Sequence, residues 1–328
     1  MDPDLRSESG ECIPFTAPSK AEPLRLSSRP LSVQGPSSLY RGSLWHAGQV
    51  VGRRAPVWFL THLMRNLATG YAWSHPNRLR IVKQNIAPAL ADAPKAVSAV
   101  ARQLFRQFGQ KLADLWRYES GLPIYNLFHD LVGWEHLVAA QARGNGVLLL
   151  TLHLGNWEFG APLLTERGIQ LQVITMAEPE TQLNDLRQRA RARWGVQTLT
   201  LGNHPFAAVE VLKKLNDNHC VALLVDRPPE ATAMIVRLFE RPFLASVSAA
   251  ELARASGCAL VPVLLPRTKN GYVARILPAI DYNRRALRAP SARTELTQRI
   301  VSAFEPSIRL YLNQWYHFVP IWPHTTSS

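Results

Sequence analysis

A histidine and a glutamate five residues apart, His153 and Glu158, are the side chains of this sequence best suited to catalysis. They lie in the stretch VLLLTLHLGNWEFG, where an apolar run that begins at Val147 ends at the histidine. A carboxylate held beside an imidazole fixes the tautomer of the ring and stabilises the imidazolium. Such a pair could act as a general base that takes a proton from an alcohol.

The elements around the two residues must bring them together. The apolar run up to Leu152 is short and branched, which predicts a buried strand. Gly155 and Asn156 then break the strand, and Asn156 is predicted to cap a helix that continues to about Arg167. On one continuous helix the two side chains would point about 140° apart, so the turn has to make them meet. A histidine and an acid at this spacing also occur by chance, and the spacing alone leaves a purely structural role open.

The composition limits the class of protein and of partner. The chain has 328 residues, of which 47% are hydrophobic, and carries a formal net charge of +13. The apolar content is sufficient for a sizeable core, and the charge predicts a partner rich in negative charge: nucleic acid, anionic lipid headgroups or an acidic carrier protein. The three cysteines lie far apart and in no metal or redox spacing, which favours a reducing compartment.

The N-terminal third of the sequence is predicted to be helical behind a disordered tail. Residues 1–40 are rich in serine, proline and charge and show no signal segment. Residues 41–328 are predicted to form a single domain, with a helical cap over 41–130 and an α/β core over 131–328. The stretch from Val57 to Trp73 is too short and too polar to cross a membrane. It is expected to form an amphipathic helix that lies on a membrane surface or packs on the core.

Strands and helices alternate after the central motif. This alternation predicts an α/β fold with a mostly parallel central sheet flanked by helices. The predicted strands are Leu171 to Thr175, Cys220 to Asp226, Met234 to Phe239, Ala259 to Leu265 and Tyr272 to Leu277. The predicted helices are Thr181 to Trp194, Phe206 to Asn216, Ser246 to Ser256 and Ser291 to Leu312.

The string HLGNWE resembles the His-x4-acid signature of the lysophospholipid acyltransferase superfamily. It is more closely similar to the H-x-G-N-W-E string of the bacterial lipid A biosynthesis acyltransferase family. Weaker similarities lie elsewhere in the chain and occur in the same order as in the family: VKQNIAPAL from Val82, GWEH from Gly133, VPV from Val261 and QWYHFVPIW from Gln314. Members of the family commonly carry an N-terminal membrane helix, which is not predicted here.

The resemblance implies an acyltransferase-like fold and transfer of a fatty acyl chain at the cytoplasmic face of the bacterial inner membrane. The implied donor is an acyl thioester of acyl carrier protein or coenzyme A, and the acceptor is a hydroxyl of a lipid A precursor or related glycolipid. His153 would be the general base and Glu158 its charge partner. Backbone N–H groups near Gly155 and Asn156 are the candidate donors to the oxyanion. No cofactor and no metal are expected, and no covalent acyl-enzyme is required.

Further substrate-binding residues are expected on a basic helix and at a strand end. Arg187 with Arg191, and Arg189 with Arg193, would form two cationic stripes on the helix DLRQRARARWG. Arginine suits phosphate, and the resemblance places the substrate's phosphate at Arg191 or Arg189. The alternative is an ordinary solvated basic face.

Asp226 ends an apolar strand, where it could face a ligand or simply cap the turn. It also matches the first acid of the family's D-Q-D-type segment. Arg237, where the family has a phenylalanine-rich turn, is a further candidate for substrate binding. For His317, packing in an aromatic cluster is favoured over a second catalytic role.

Three other functions remain open at this point. The same chemistry could act on a phosphatidylinositol mannoside, an ornithine-type lipid or a lysophospholipid. The His–Glu pair could instead activate water in an esterase or thioesterase. A non-catalytic nucleic-acid-binding or membrane-binding protein is disfavoured, because the basic charge is spread along the chain and no nucleic-acid motif is present, so no nucleic-acid partner is expected.

Overall fold

The structure is a computed structural model that describes residues 41–176, 178, 180–201 and 207–323. The tail predicted over residues 1–40 lies outside the described residues. Four helices come first: α1 (Gly42–Arg54), α2 (Val57–Ser74), α3 (Pro76–Ile86) and α4 (Val97–Glu119). Prolines precede α2 and open α3, as expected where a missing backbone donor costs nothing. Helix α4 carries its apolar residues at spacings of three and four, and α2 packs against it.

In the described part of the chain, ten strands and six more α-helices follow. The strands are β1 (Phe128–Val132), β2 (Val147–Thr151), β3 (Leu171–Met176), β4 (Gln197–Leu201), β5 (Cys220–Leu224), β6 (Ala233–Leu238), β7 (Arg241–Ser246), β8 (Ala259–Leu264), β9 (Arg267–Thr268) and β10 (Gly271–Ile276). The helices are α5 (Trp134–Gln141), α6 (Gly160–Thr165), α7 (Thr181–Arg193), α8 (Ala207–Asn216), α9 (Ser248–Ser256) and α10 (Pro290–Leu310).

The main sheet has the order β1-β10-β8-β2-β5-β3-β4, with β9 paired to β10. Along this path every neighbouring pair is parallel except β10 with β8. Strand β2 lies at the centre of the sheet and all five of its residues are buried. A continuous apolar run suits a strand whose two faces are both covered. The prediction of an α/β fold with a mostly parallel sheet flanked by helices is confirmed.

The structure departs from the predicted elements in several places. The strand predicted from Met234 belongs to an antiparallel hairpin, β6–β7, outside the main sheet. Asn156 makes no capping hydrogen bond, and the chain after it forms a short 3₁₀ turn, Trp157–Phe159, before the six-residue α6. Helix α1 lies in the predicted helical cap but was not specified there, and helix α5 and strands β1, β4, β7 and β9 were not predicted. Strand β1 crosses the boundary set between the helical cap and the core.

Among the described residues, no helix combines the length and the apolar character needed to cross a lipid bilayer.

Candidate active site

His153 and Asp226 meet at the carboxyl edge of the sheet. Strands β2 and β5 are parallel neighbours in which Thr151 lies opposite Leu224. Each of the two polar residues follows two positions later, so the shared register places them side by side. His153 Nδ1 lies 2.8 Å from one carboxylate oxygen of Asp226, and the His153 backbone N–H lies 3.2 and 3.0 Å from the two oxygens. The aspartate therefore holds both the ring and the backbone of the histidine.

The C-terminal segment completes the shell around Asp226. The Trp315 indole N–H donates to the second carboxylate oxygen at 3.0 Å, and His317 Nε2 lies 2.9 Å from the same atom. An ionised carboxylate only accepts hydrogen bonds, so the proton of neutral His153 lies on Nδ1. Its other ring nitrogen, Nε2, makes no hydrogen bond within the described part of the chain and keeps a free lone pair. That lone pair is what a general base needs.

Burial and charge together set the protonation of the pair. Burial alone would raise the pKa of the Asp226 carboxyl, but the two histidines and their hydrogen bonds hold it well below its usual range. Burial lowers the pKa of His153 to about 4, with the Asp226 carboxylate acting in the opposite direction. At neutral pH the histidine is thus a neutral base beside an ionised acid. Its side chain keeps 15% of its surface exposed.

The turn after the histidine is fixed by a glycine and by backbone hydrogen bonds. Gly155 has a φ of +65°, and a Cβ there would lie 2.1 Å from the Leu265 carbonyl oxygen. The Gly155 N–H donates to the Gln314 carbonyl at 3.0 Å, and the Asn156 N–H donates to Leu265 at 2.9 Å. Both backbone N–H groups are therefore engaged within the protein, and the expectation that donors near Gly155 and Asn156 hold the oxyanion stays a prediction.

Glu158 does not face His153, contrary to the predicted contact. The turn directs it toward α7, where it is enclosed by two buried arginines. Arg191 binds both carboxylate oxygens, through Nε at 3.1 Å and Nη2 at 3.0 Å, and Arg187 donates to the same carboxylate through Nη2. Burial acts to raise the pKa of Glu158, but the two guanidinium charges outweigh it and hold the pKa far below its usual range.

Arg187 extends this ion cluster to other elements. It binds Glu178 at 2.8 Å and lies 3.5 Å from Glu119, whose carboxylate also accepts a hydrogen bond from the Trp45 indole. Helices α1, α4 and α7 are thereby tied to the turn that carries Glu158. Buried charges of this kind are tolerated because each one is paired.

The predicted arginine stripes exist, and only one of them lies in this cluster. Arg187 and Arg191 share the buried face of α7, as their spacing predicted. Arg189 lies on the exposed face, away from the ion cluster. Arg237 is exposed in the β6–β7 hairpin, where it pairs with Glu240 at 3.3 Å. The structure therefore does not bring Arg237 together with His153.

Sequence reasoning missed a buried lysine next to the site. Lys111 on α4 is 4% exposed, and its Nζ lies 3.0 Å from the centre of the Trp157 ring. The same ring lies 5.0 Å from the His153 ring, centre to centre. Burial lowers the pKa of Lys111 well below its usual value. The signal was present in the apolar stripe of α4, where a lysine stands on the inward face.

His317 has a larger role than aromatic packing. It does pack edge-to-face on Trp315, with ring centres 4.6 Å apart, as the favoured interpretation held. It also donates to Asp226, a contact between distant parts of the chain that no local sequence pattern predicts. The C-terminal segment is attached to the site through its backbone as well, because the Tyr316 N–H donates to the His153 carbonyl at 2.7 Å.

Comparison with known proteins identifies the family to which the chain belongs. Residues 38–323 match the family described as bacterial lipid A biosynthesis acyltransferase. The chain is also 29% identical, over 259 residues, to phosphatidylinositol mannoside acyltransferase of Mycobacterium tuberculosis (strain H37Rv), with 75% of this chain and 77% of the relative covered. The enzyme of the same name from Mycolicibacterium smegmatis is 27% identical over 255 residues, covering 75% of this chain and 79% of that protein. The resemblance seen in HLGNWE is thus confirmed: the chain belongs to the bacterial lipid A biosynthesis acyltransferase family and is an acyltransferase.

Proposed function

We propose that the protein transfers an acyl chain from a thioester to a hydroxyl of a phosphate-bearing glycolipid, with His153 as general base and Asp226 as its charge partner. The observation that carries this proposal is the 2.8 Å contact between His153 Nδ1 and the Asp226 carboxylate. It leaves Nε2 as the proton acceptor and places a negative charge where the imidazolium forms.

The step would proceed without a covalent acyl-enzyme. His153 Nε2 takes the proton of the acceptor hydroxyl while that oxygen attacks the thioester carbonyl carbon. As the tetrahedral intermediate collapses, the C–S bond breaks and the imidazolium returns the proton to the leaving thiolate. The products are an ester and a free thiol, and the enzyme is restored to its starting state. Asp226 stays ionised throughout and stabilises the imidazolium.

Glu158 would then have a different role from the one inferred from the sequence. Its contacts with Arg187 and Arg191 support a role in positioning these two arginines rather than in orienting His153. We place the acceptor's phosphate near Arg191, because guanidinium groups match phosphate geometry and this pair is held rigidly beside the motif turn. Glu158 would thus act on the substrate through the arginines.

The names of the relatives favour a phosphatidylinositol mannoside as acceptor over a lipid A precursor. The name of the family favours the lipid A precursor as the second candidate. Both acceptors combine sugar hydroxyls with phosphate. A general base and an arginine, the groups proposed for this site, would suit either acceptor. Either anionic donor, acyl carrier protein thioester or acyl-coenzyme A, fits a chain with a net charge of +13. We place the reaction at the cytoplasmic face of the bacterial inner membrane.

The test is an acyl-transfer assay with the two donors and the two acceptors in all combinations. Wild type should acylate one acceptor, His153→Ala should lose at least about 10²-fold in rate, and His136→Ala on α5 should match wild type. Equal labelling by wild type and His153→Ala would overturn the proposal. Release of free fatty acid at the same rate with and without acceptor would instead indicate a thioesterase.

A further inference from the structure

Lys111, on the inward side of α4, is a buried basic residue without an acid of its own. It is 4% exposed. Its Nζ makes no hydrogen bond, and lies within ion-pair distance of no acid, among the residues that the structure describes. Burying a charge without a partner costs free energy, and a buried polar group that stays unpaired calls for a functional explanation.

The carboxylates around Lys111 are already paired with other groups. The charges of Glu158 and Glu119 act on the lysine, but both carboxylates form ion pairs with Arg187. Asp114, almost one turn further along α4, accepts hydrogen bonds from a tyrosine hydroxyl and a glutamine amide, at 2.8 and 3.0 Å. Nζ is therefore left for a negative charge that a substrate brings or that the reaction creates.

Aromatic rings surround Nζ in place of acids. It lies 3.0 Å from the ring centre of Trp157, 5.6 Å from that of Tyr316 and 5.8 Å from that of Phe108. A cation over a ring face is attracted by the ring quadrupole, and a negative charge in such a dry place would interact with it more strongly than in water. The stem of a lysine is flexible, so Nζ can leave the ring without a movement of α4.

Two of these rings belong to the segments that hold His153. The Trp157 ring lies 5.0 Å from the His153 ring, centre to centre, with the two planes at 70°. Tyr316 is attached through its backbone N–H, which donates to the His153 carbonyl at 2.7 Å. One indole ring therefore contacts both the lysine and the imidazole, and the lysine lies beside the atoms that would react at His153.

The proposed reaction creates a negative charge that needs a donor. When the acceptor oxygen bonds to the thioester carbon, an electron pair of the carbonyl moves onto its oxygen, which hydrogen-bond donors must stabilise. The N–H groups of Gly155 and Asn156 would have to give up their bonds of 3.0 and 2.9 Å to backbone carbonyls. Lys111 has no such bond to break within the described residues. Burial lowers the pKa of Lys111 and the charge of Glu158 raises it, but Nζ carries N–H donors in either protonation state.

We propose that Lys111 is a further catalytic residue, whose Nζ leaves the face of Trp157 and donates a hydrogen bond to the thioester carbonyl oxygen as that oxygen becomes negative. The N–H bond stays intact at this step, in which only the new C–O bond forms. On collapse the carbonyl double bond is restored, the C–S bond breaks, and His153 returns its proton to the thiolate. The inference rests on the proposed function, because it names the donor to the intermediate of that reaction.

The first test removes the amine and keeps the bulk of the side chain. In Lys111→Met the turnover number should fall about 10²–10³-fold, as when a donor to an oxyanion is removed, with little change in KM for donor or acceptor. Lys111→Gln keeps an N–H donor and should fall less. Lys95→Met, at an exposed position just before α4, should match wild type. A fall of less than tenfold in Lys111→Met, or an equal fall in Lys111→Gln, would overturn the proposal.

Denaturant unfolding separates a catalytic role of Lys111 from a structural one. Because the wild-type lysine is buried without an acid, Lys111→Met should unfold at the same denaturant concentration as wild type or at a higher one. A lower unfolding midpoint of Lys111→Met would explain its loss of activity by a structural role and would overturn the proposal.

Binding of a tetrahedral anion distinguishes this inference from the proposed function, since it needs no acyl transfer. The probe is the monomethyl ester of hexadecylphosphonic acid, whose charged oxygen mimics the oxyanion, and methyl palmitate is the uncharged comparison. Wild type should bind the phosphonate at least about tenfold more tightly than Lys111→Met does, and both should bind methyl palmitate alike. Equal binding of the phosphonate would overturn the proposal.

The two proposals can therefore fail separately. Phosphonate binding that depends on Lys111, in a protein that acylates nothing, would keep the anion site and overturn the proposed function. Acyl transfer that is lost in His153→Ala and unchanged in Lys111→Met would keep the proposed function and overturn the role of Lys111.

Discussion

Two buried carboxylates lie near the turn after β2, and they are held by different kinds of side chain. Asp226 accepts hydrogen bonds from His153, His317 and Trp315, of which the two imidazoles are groups that can gain and lose a proton. Glu158 is enclosed by the guanidinium groups of Arg187 and Arg191.

The contrast separates two uses of a carboxylate. Beside an imidazole, the negative charge can follow the movement of a proton, because its partner changes charge during the reaction. Between guanidinium groups, the charge is balanced permanently and can only hold its partners in place. We therefore propose that Asp226, 73 residues away, is the charge partner of His153, and that the nearer acid, Glu158, positions the arginines.

The largest expected effect comes from Asp226→Asn. The amide cannot stabilise an imidazolium by charge, and its NH₂ group would meet N–H donors that now point at an oxygen. We expect the turnover number to fall about 10³–10⁴-fold, as when the acid of a catalytic triad is made neutral. Steady-state acyl transfer measures this, and Asp217→Asn, at an exposed position, is the matched control. A fall of less than tenfold would remove Asp226 from the proposed mechanism.

A smaller loss of activity and a larger loss of stability are expected from Glu158→Gln. Removing one partner of a buried ion cluster costs about 3–5 kcal/mol, because the arginine charges stay buried. Denaturant unfolding should show this decrease, with Glu295→Gln on the exposed side of α10 as control. Activity should fall about 10- to 100-fold, mainly through a higher KM for acceptor. If the turnover number fell as far as in Asp226→Asn, the two carboxylates would not differ in role.

Substitutions of His317 test whether its hydrogen bond to Asp226 matters for catalysis. His317→Phe removes a donor to a buried charge, a contact worth about 1.5–3 kcal/mol, and should lower the turnover number about tenfold. His317→Gln keeps an N–H donor and should recover most of the activity. Loss of activity in both variants alike would show that the ring itself is required.

The smallest expected effect that distinguishes the two carboxylates is in the pH profile of kcat/KM. His153 must be neutral to act, so activity is lost as pH falls through its pKa, which burial lowers to about 4. The acid limb should therefore lie well below the usual histidine range. Asp226→Asn removes the charge that favours the imidazolium and should move this limb to still lower pH. Glu158→Gln should leave the acid limb in place. A shift of the acid limb in that variant would indicate coupling between the two carboxylates.

The parts of the fold predicted from sequence are those with an unmistakable apolar pattern. Strands β2, β3 and β5 were placed to within about two residues, because their runs are short, branched and buried. Strand β1, with the sequence FHDLV, and strand β4, with QTLTL, alternate or mix polar residues and carry a weaker signal. The buried face of helix α1 consists of three glycines and one tryptophan, so it lacks the run of large apolar side chains that marks a helix, and no separate helix was predicted there.

The site was predicted by residue type and not by pairing. His153, Glu158, Arg191 and Asp226 were all singled out, but which acid meets the histidine depends on the order of strands in the sheet. Strands β2 and β5 are neighbours although β3 and β4 lie between them in the chain. No local sequence pattern shows which strands are neighbours, whereas the common face of Arg187 and Arg191, four residues apart on one helix, could be predicted.

The position of β2 also determines how stably the proposed base, His153, is held when the protein is partly unfolded. Its residues are buried and paired on both sides, with β5 and with β8, so its amide protons should exchange with solvent only through global opening of the protein. Native-state hydrogen exchange of a peptide spanning residues 147–151 should thus report the full free energy of unfolding, while peptides from α2 exchange earlier. A protein partly opened by mild denaturant would then lose the packing of α2 on α4 before it loses the geometry around His153.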